Sequence, residues 1–179
     1  MLATHNSGTG EKSGNLVSSL FSIFSKCQNK TIKEQYDTGV RLFDIRVRKN
    51  KKGEWIFAHG LWESKEPAIY AINDLNLLSY QKQDKAYVMV TYEGICKNKD
   101  EFINEITNWG KQYSWVEFCE INVKMPKWTT LARYKKISFK QCFTVINGWK
   151  CLLPIPCLWK KLIKHEPAKK GVFSMYDFI

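Results

Sequence analysis

The chain has 179 residues, 44% hydrophobic and 25% charged. That is enough for one domain with its own core and ordinary for a globular protein. Its 28 Lys and Arg against 17 Asp and Glu leave a net charge of +11, which favours an anionic partner: nucleic acid, an anionic membrane surface or a phosphorylated substrate. No run of 18 apolar residues occurs, so no segment reads as a membrane-spanning helix.

Met1 to Thr4 reads as the tail of a first strand. No signal peptide is visible, but Met1 stands only four residues before His5. That leaves almost no room for a leader and a first strand, so the chain reads as trimmed at its N-terminus. Residues 13 to 26 hold Leu16, Leu20, Phe21 and Phe24 at helical spacing, diluted by five serines. Thr31 and Glu34 form a capping-box pattern at a helix start. Gly39 stops that helix where a left-handed cap is wanted.

Val40 to Arg48 is the clearest strand. Phe43, Ile45 and Val47 share one face, and Leu42, Asp44 and Arg46 the other. The apolar face can pack on helices while the polar face looks into something enclosed. Asn50 to Gly53 is a basic turn, and Glu54 to Ala58 a short strand ending at His59. A helix is expected from Pro67 to about Gln81, with the proline in its first turn. Ala86 to Glu93 is a further strand, on which Glu93 shares a face with Tyr87, Met89 and Thr91. Asn98 and Glu101 start another helix, with Phe102, Ile106 and Trp109 on one face. Trp115–Val123, Gln141–Asn147 and Gly171–Ile179 read as later strands, the last with Asp177 near its end.

Alternating strand and helix argues for a parallel α/β architecture. A closed (β/α) barrel takes about 250 residues, so the chain reads as a compact or incomplete TIM-type barrel. The expectation is one domain, 1–179, with truncation at both ends.

The cysteines at 27, 96, 119, 142, 151 and 157 contain no C-x-x-C pair and read as buried thiols. Three scattered histidines argue against zinc. The acceptor pattern Asn29-Lys30-Thr31 is common by chance and is discounted.

His5, Asp44, Arg46, His59, Glu93 and Asp177 all fall near the C-terminal ends of strands. Active sites of α/β barrels are built at that face. A lone histidine there is more often structural, and Asp44 with Arg46 alone could be a plain ion pair. Six such residues at equivalent ends favour a site. Two imidazoles and a guanidinium can cleave a phosphodiester without a metal: one imidazole takes a proton, the other gives one, and the arginine holds phosphate oxygens.

The motifs carry a family resemblance. Thr4-His5-Asn6-Ser7-Gly8-Thr9, then Glu34-Gln35, then Gly39-Val40-Arg41-Leu42-Phe43-Asp44-Ile45-Arg46 and His59-Gly60 resemble the catalytic X-region of phosphatidylinositol-specific phospholipase C. Val88-Met89-Val90-Thr91-Tyr92-Glu93 and Gly171 to Ile179 continue it, while residues 95 to 170 do not align. The resemblance implies that His5 is the general base for the inositol 2-hydroxyl. It implies that His59 is the general acid for the diacylglycerol oxygen, and that Asp177 orients His5. Arg46 matches the arginine that replaces calcium in the metal-independent bacterial enzymes, with Asp44 beside it.

Two positions depart from that branch. Asn6 stands where it has Asp, and Glu93 where it has lysine. Asn6, Asp44 and Glu93 would be the calcium ligands of the calcium-dependent branch, which needs an acid where Arg46 stands. The expectation is no metal, with Arg46 doing the metal's work, Glu93 paired with it, and Asn6 and Glu93 at the substrate.

The resemblance implies a monomer acting on phosphatidylinositol or a related anionic phospholipid at a peripheral membrane surface, secreted or membrane-associated. No nucleic-acid motif is present. A headgroup-binding module without turnover, and a calcium-dependent phosphodiesterase on another glycerophospholipid, are the alternatives. Trp149 to His165, which mixes apolar and aromatic residues with lysines, reads either as a membrane rim or as a packed barrel helix. Lys49, Lys51 and Lys52 are a second candidate rim.

Overall fold

The structure is a computed structural model and describes residues 1–124 with the strand segments 132–133, 138–141, 144–146, 149–150, 164–165 and 173–176. In chain order come β1 (Leu2–Thr4), a 3₁₀ turn (Ser7–Gly10), α1 (Leu16–Ser25), α2 (Ile32–Asp37), β2 (Val40–Lys49), β3 (Trp55–His59) and β4 (Trp62–Pro67). Then follow α3 (Ala68–Lys82), β5 (Ala86–Tyr92), α4 (Lys99–Gly110) and β6 (Val116–Asn122). The short strands are β7 (Ala132–Arg133), β8 (Ser138–Gln141), β9 (Thr144–Ile146), β10 (Trp149–Lys150), β11 (Lys164–His165) and β12 (Phe173–Tyr176).

The main sheet runs β7-β8-β12-β1-β2-β5-β6. The neighbours from β8 to β6 all pair in parallel. β12 lies beside β1, which is how a (β/α) barrel brings its end back to its start. Among the described residues β6 and β7 remain the two ends of this sheet, so the barrel is incomplete. The β3–β4 hairpin adds to the second half of β2 in antiparallel register, Val47 opposite Phe57.

Alternation in β2 divides two layers. Phe43, Ile45 and Val47 point outward with Val88 and Val90 of β5. They pack on Ile32 and Tyr36 of α2, Ile72 and Leu75 of α3, and Phe102 and Ile106 of α4. Fully burying one such side chain contributes about 1.5–3 kcal/mol, so this layer is the main source of cohesion. The inward layer is a small apolar floor of Ala3, Leu42, Met89, Phe173 and Met175. Asp44 and Arg46 follow Leu42 on that inner face, one and two steps nearer the C-terminal end of β2.

The helix starts follow their caps. Thr31 and Glu34 form the full capping box of α2, and Gly39 leaves the helix at φ +97°, a conformation that favours glycine. Asn98 accepts from the Glu101 amide at 3.2 Å.

Two expectations are corrected, and two features lie beyond the sequence reading. The stripe on α1 faces outward: Leu16 is 76% and Leu20 63% exposed, while Ser18 and Ser25 are buried. Pro67 ends β4 and caps α3 rather than entering its first turn. β4 itself escapes a hydrophobicity reading because Glu63-Ser64-Lys65-Glu66 is polar along its whole middle. The expected strand at Gln141–Asn147 is two strands in different sheets: β8 pairs with β12, while β9 pairs with β10 and β11. The proposed rim Trp149–His165 lies outside the described residues except for β10 and β11.

Candidate active site

Five of the six residues read from the sequence at strand ends meet at one point above the apolar floor, joined by Asn6. Asp177 lies outside the described residues. His5 follows β1 directly, and its amide donates to the Tyr176 carbonyl at 3.0 Å, which fixes it against β12. Its ring is 13% exposed. Arg46 Nη2 donates to His5 Nε2 at 2.9 Å. A guanidinium has no acceptor, so that imidazole nitrogen presents its lone pair to Arg46. The Arg46 side chain is 2% exposed, and its Nη1 faces Glu93 Oε2 at 3.5 Å. Its Nε and Nη1 make no hydrogen bond.

Asp44 is fully buried. Its Oδ2 accepts from the Asn6 amide at 3.1 Å and lies 3.8 Å from His5 Nε2. Asn6 is left-handed at φ 47°, which asparagine tolerates better than most residues. That turn aims its amide at Asp44 and its side chain back across the site. There Asn6 Nδ2 lies 3.3 Å from Cys27 Sγ and 3.5 Å from both ring nitrogens of His59. His59 Nδ1 donates to the Ser25 carbonyl at 2.6 Å, at the last residue of α1. Glu93 Oε1 accepts from the Gly60 amide at 2.8 Å, which ties the β3–β4 turn to the end of β5.

Four buried side-chain atoms of these residues have no hydrogen-bond partner: Asn6 Oδ1, Asp44 Oδ1, and Arg46 Nε and Nη1. Buried polar groups are normally paired, so the arrangement is prepared for a ligand offering both hydroxyl donors and anionic oxygens.

A calcium ion does not fit the set Asn6, Asp44 and Glu93. Asp44 Oδ2 is taken by the Asn6 amide and Glu93 by Gly60 and Arg46, which leaves only Asn6 Oδ1 and Asp44 Oδ1 open to a cation, too few oxygens for calcium. The buried guanidinium already supplies the cation. A second charge ~4 Å from it would be opposed by roughly 4 kcal/mol per unit charge at an effective dielectric near 20. Among the described residues no group of three or more His, Cys, Asp or Glu converges as a metal site.

Other expectations fall differently. Lys49 is no open rim: it is held by Glu101 at 3.3 Å and Glu105 at 2.7 Å and lies over Trp55. Lys51 and Lys52 are exposed. Cys27 is buried, but Cys96 and Cys119 are only half-buried, and the other three cysteines lie outside the described residues. The sequence reading quoted Thr9 in its first motif without a role and missed Ser25, Cys27 and Gln28 at the site. Thr9 Oγ1 accepts from the amides of Cys27 at 3.0 Å and Gln28 at 3.1 Å. No motif announces these three, because they act through polar contacts to residues distant in sequence.

No protein-family model matches this sequence, and comparison with curated proteins gives no match. Solved structures do match. One is the phosphatidylinositol-specific phospholipase C of Listeria monocytogenes, with a TM-score of 0.51 and 18% identity over 63% of this chain and 40% of that one. Two structures of the Staphylococcus aureus phosphatidylinositol-specific phospholipase C both give TM-scores of 0.55. Their identities are 15% and 16%, over 78% and 79% of this chain and 59% of those. The chain is thus an α/β barrel protein with a polar site at the C-terminal face of its strands. Its fold is that of the bacterial phosphatidylinositol-specific phospholipases C, of whose length it spans about two-fifths to three-fifths.

Proposed function

We propose that this protein is a phosphodiesterase of the phosphatidylinositol phospholipase C type, cleaving phosphatidylinositol by histidine acid–base chemistry without a metal. The observation that carries this reading is the buried Arg46 with two nitrogens that make no hydrogen bond, in contact with His5 and within the same small site as His59. A buried guanidinium short of partners is a place for an oxyanion.

The phosphate of the substrate takes the Arg46 donors, which releases the Nε2 lone pair of His5. His5 removes the proton of the inositol 2-hydroxyl, and that oxygen attacks phosphorus. A cyclic 1,2-phosphate forms as the bond to the diacylglycerol oxygen breaks. Protonated His59, steadied through Nδ1 by the Ser25 carbonyl, gives its Nε2 proton to that leaving oxygen. Asp44 and Glu93 hold Arg46 and His5 in place, and Asn6 links Asp44 to His59. Asp177 belongs to this proposal as the group that orients His5. Each acid–base role is worth roughly 10²–10⁴ in rate.

The surface supports a bilayer substrate. α1 carries no charged residue and exposes Leu16, Val17, Leu20 and Phe21, while Leu61 beside His59 and Ile95 beside Glu93 are 58% and 86% exposed. Together with a net charge of +11, this suits an anionic membrane surface. No helix among the described residues is long and apolar enough to cross a membrane.

The test is phosphorus NMR of phosphatidylinositol vesicles with the protein in EDTA, then with added calcium, and with His5→Ala as control. A cyclic inositol phosphate in EDTA that is absent with the variant supports the reading. A signal only with calcium contradicts its metal-independence. Vesicle binding with no turnover in either condition leaves a headgroup-binding module.

A further inference from the structure

We propose that Gln28 is a positioning residue for the general base, holding His5 by clamping the carboxyl ends of the first and last strands of the sheet together. The inference rests on the acid–base role proposed for His5.

β1 is three residues long and pairs with β12 only through Leu2, Ala3 and Thr4, opposite Ser174, Met175 and Tyr176. His5 follows at once, so the ladder that orients it ends just beneath its backbone. Gln28 is fully buried at this seam. Its side-chain amide donates to the His5 carbonyl at 3.0 Å and to the Tyr176 carbonyl at 2.9 Å. A primary amide carries two donors at a fixed angle, and here one goes to each side of the seam. The His5 amide also donates to the Tyr176 carbonyl, so Gln28 closes a ring of three hydrogen bonds below the imidazole.

Gln28 is itself held from the site side. Thr9 Oγ1 accepts from its backbone amide and from that of Cys27, and donates to the Asn6 carbonyl. Two residues before Cys27 is Ser25, whose carbonyl accepts a hydrogen bond from His59 Nδ1. The four residues Ser25–Gln28 therefore contact His59, Asn6 and His5 in turn. An apolar side chain at position 28 would leave the His5 carbonyl without the Gln28 donor and let the base swing about the end of a three-residue strand. A base displaced by a fraction of an ångström still lets substrate bind but reacts slowly.

The experiment compares wild type, Gln28→Met and Gln28→Asn. Met keeps the length and removes both donors, and Asn keeps the amide but is too short to reach both carbonyls. For each, kcat and KM on phosphatidylinositol vesicles are measured well below the thermal midpoint, alongside nitrogen-15 imidazole spectra. Gln28→Met is expected to lower kcat tenfold or more at unchanged KM and to shift the His5 ring signals while leaving those of His59 in place. Gln28→Asn is expected to fall between it and wild type, and it decides the matter if the methionine variant does not fold. A folded variant with unchanged kcat, or with a change in KM alone, would overturn the proposal. If wild type turns over no substrate, the proposed function fails. The positioning role is then decided by the spectra, and unchanged His5 signals in the variants would overturn it.

Discussion

Arg46 Nη2 lies 2.9 Å from His5 Nε2, so the residues proposed as phosphate clamp and general base touch each other. On the proposed mechanism, His5 is available as a base only when an oxyanion draws the guanidinium away. Arg46→Lys keeps the charge but loses the planar fork. It is expected to lower kcat/KM by about 10²–10³, the usual cost of losing one preorganised donor, with little change in thermal midpoint. Steady-state kinetics with a melting curve check this, and activity within a few-fold of wild type would contradict it.

The loop that carries His5 and Asn6 is packed too closely to accept a methyl group. A Cβ at Gly10 would sit 1.7 Å from the Lys30 carbonyl oxygen and 2.5 Å from its carbon, both backbone atoms. That carbonyl also accepts from Gln35 Nε2 at 2.7 Å, and Gln35 donates in turn to the Ser7 carbonyl. Gly10→Ala is expected to cost about 1–3 kcal/mol through overpacking, read as a lower urea midpoint. An unchanged midpoint would mean that the loop does not sit against Lys30 as described.

The apolar face of α1 makes a separate prediction. Leu16→Ser with Leu20→Ser removes two exposed side chains, each worth about 1.5–3 kcal/mol when buried in an apolar phase. Binding to phosphatidylinositol vesicles is expected to fall tenfold or more, with no loss of thermal stability. A sedimentation assay checks it, and unchanged vesicle binding would remove α1 from the docking surface.

Stability should carry a pH signature at Glu11. Burial pushes its carboxyl above the ordinary 4.5. The Ile32 amide pulls it back, and Glu34 and Asp74 push it further up. The native state thus holds this proton more tightly than the unfolded chain. The resulting stability is present below pH 4.5 and is lost as pH rises through the elevated native value. Glu11→Gln keeps an acceptor for the Ile32 amide and removes the ionisation. Its thermal midpoint relative to wild type is expected to rise between pH 4 and pH 7, at roughly 2–4 °C per kcal/mol for a chain this size. A difference that does not change with pH would contradict the assignment.

Much of this site was legible in the sequence because strand alternation is rigid. Once Phe43, Ile45 and Val47 are an outer face, Asp44 and Arg46 must look inward, and the structure places them there. The capping box at Thr31 and the left-handed Gly39 were legible for the same reason: local geometry demands those residues. What escaped depends on contacts distant in sequence. β4 is polar because it lies at the end of the hairpin extension, covered in part by α1. The α1 stripe obeys helical spacing yet points outward, since periodicity shows that a face exists and not what covers it. Gln28 has no signature at all: its worth lies in two carbonyls, one of them 148 positions away.

The most direct test of the acid–base account is the turnover of His59→Ala in EDTA on two inositol phosphodiesters, one with an alkyl and one with a 4-nitrophenyl leaving group. An alkoxide needs a proton to depart and nitrophenolate does not. The expected result is a loss of roughly 10²–10⁴ on the alkyl ester, with the nitrophenyl ester retained within about tenfold, while His5→Ala loses both. Equal loss of the two esters in His59→Ala, or a wild type inert toward both, would contradict the account.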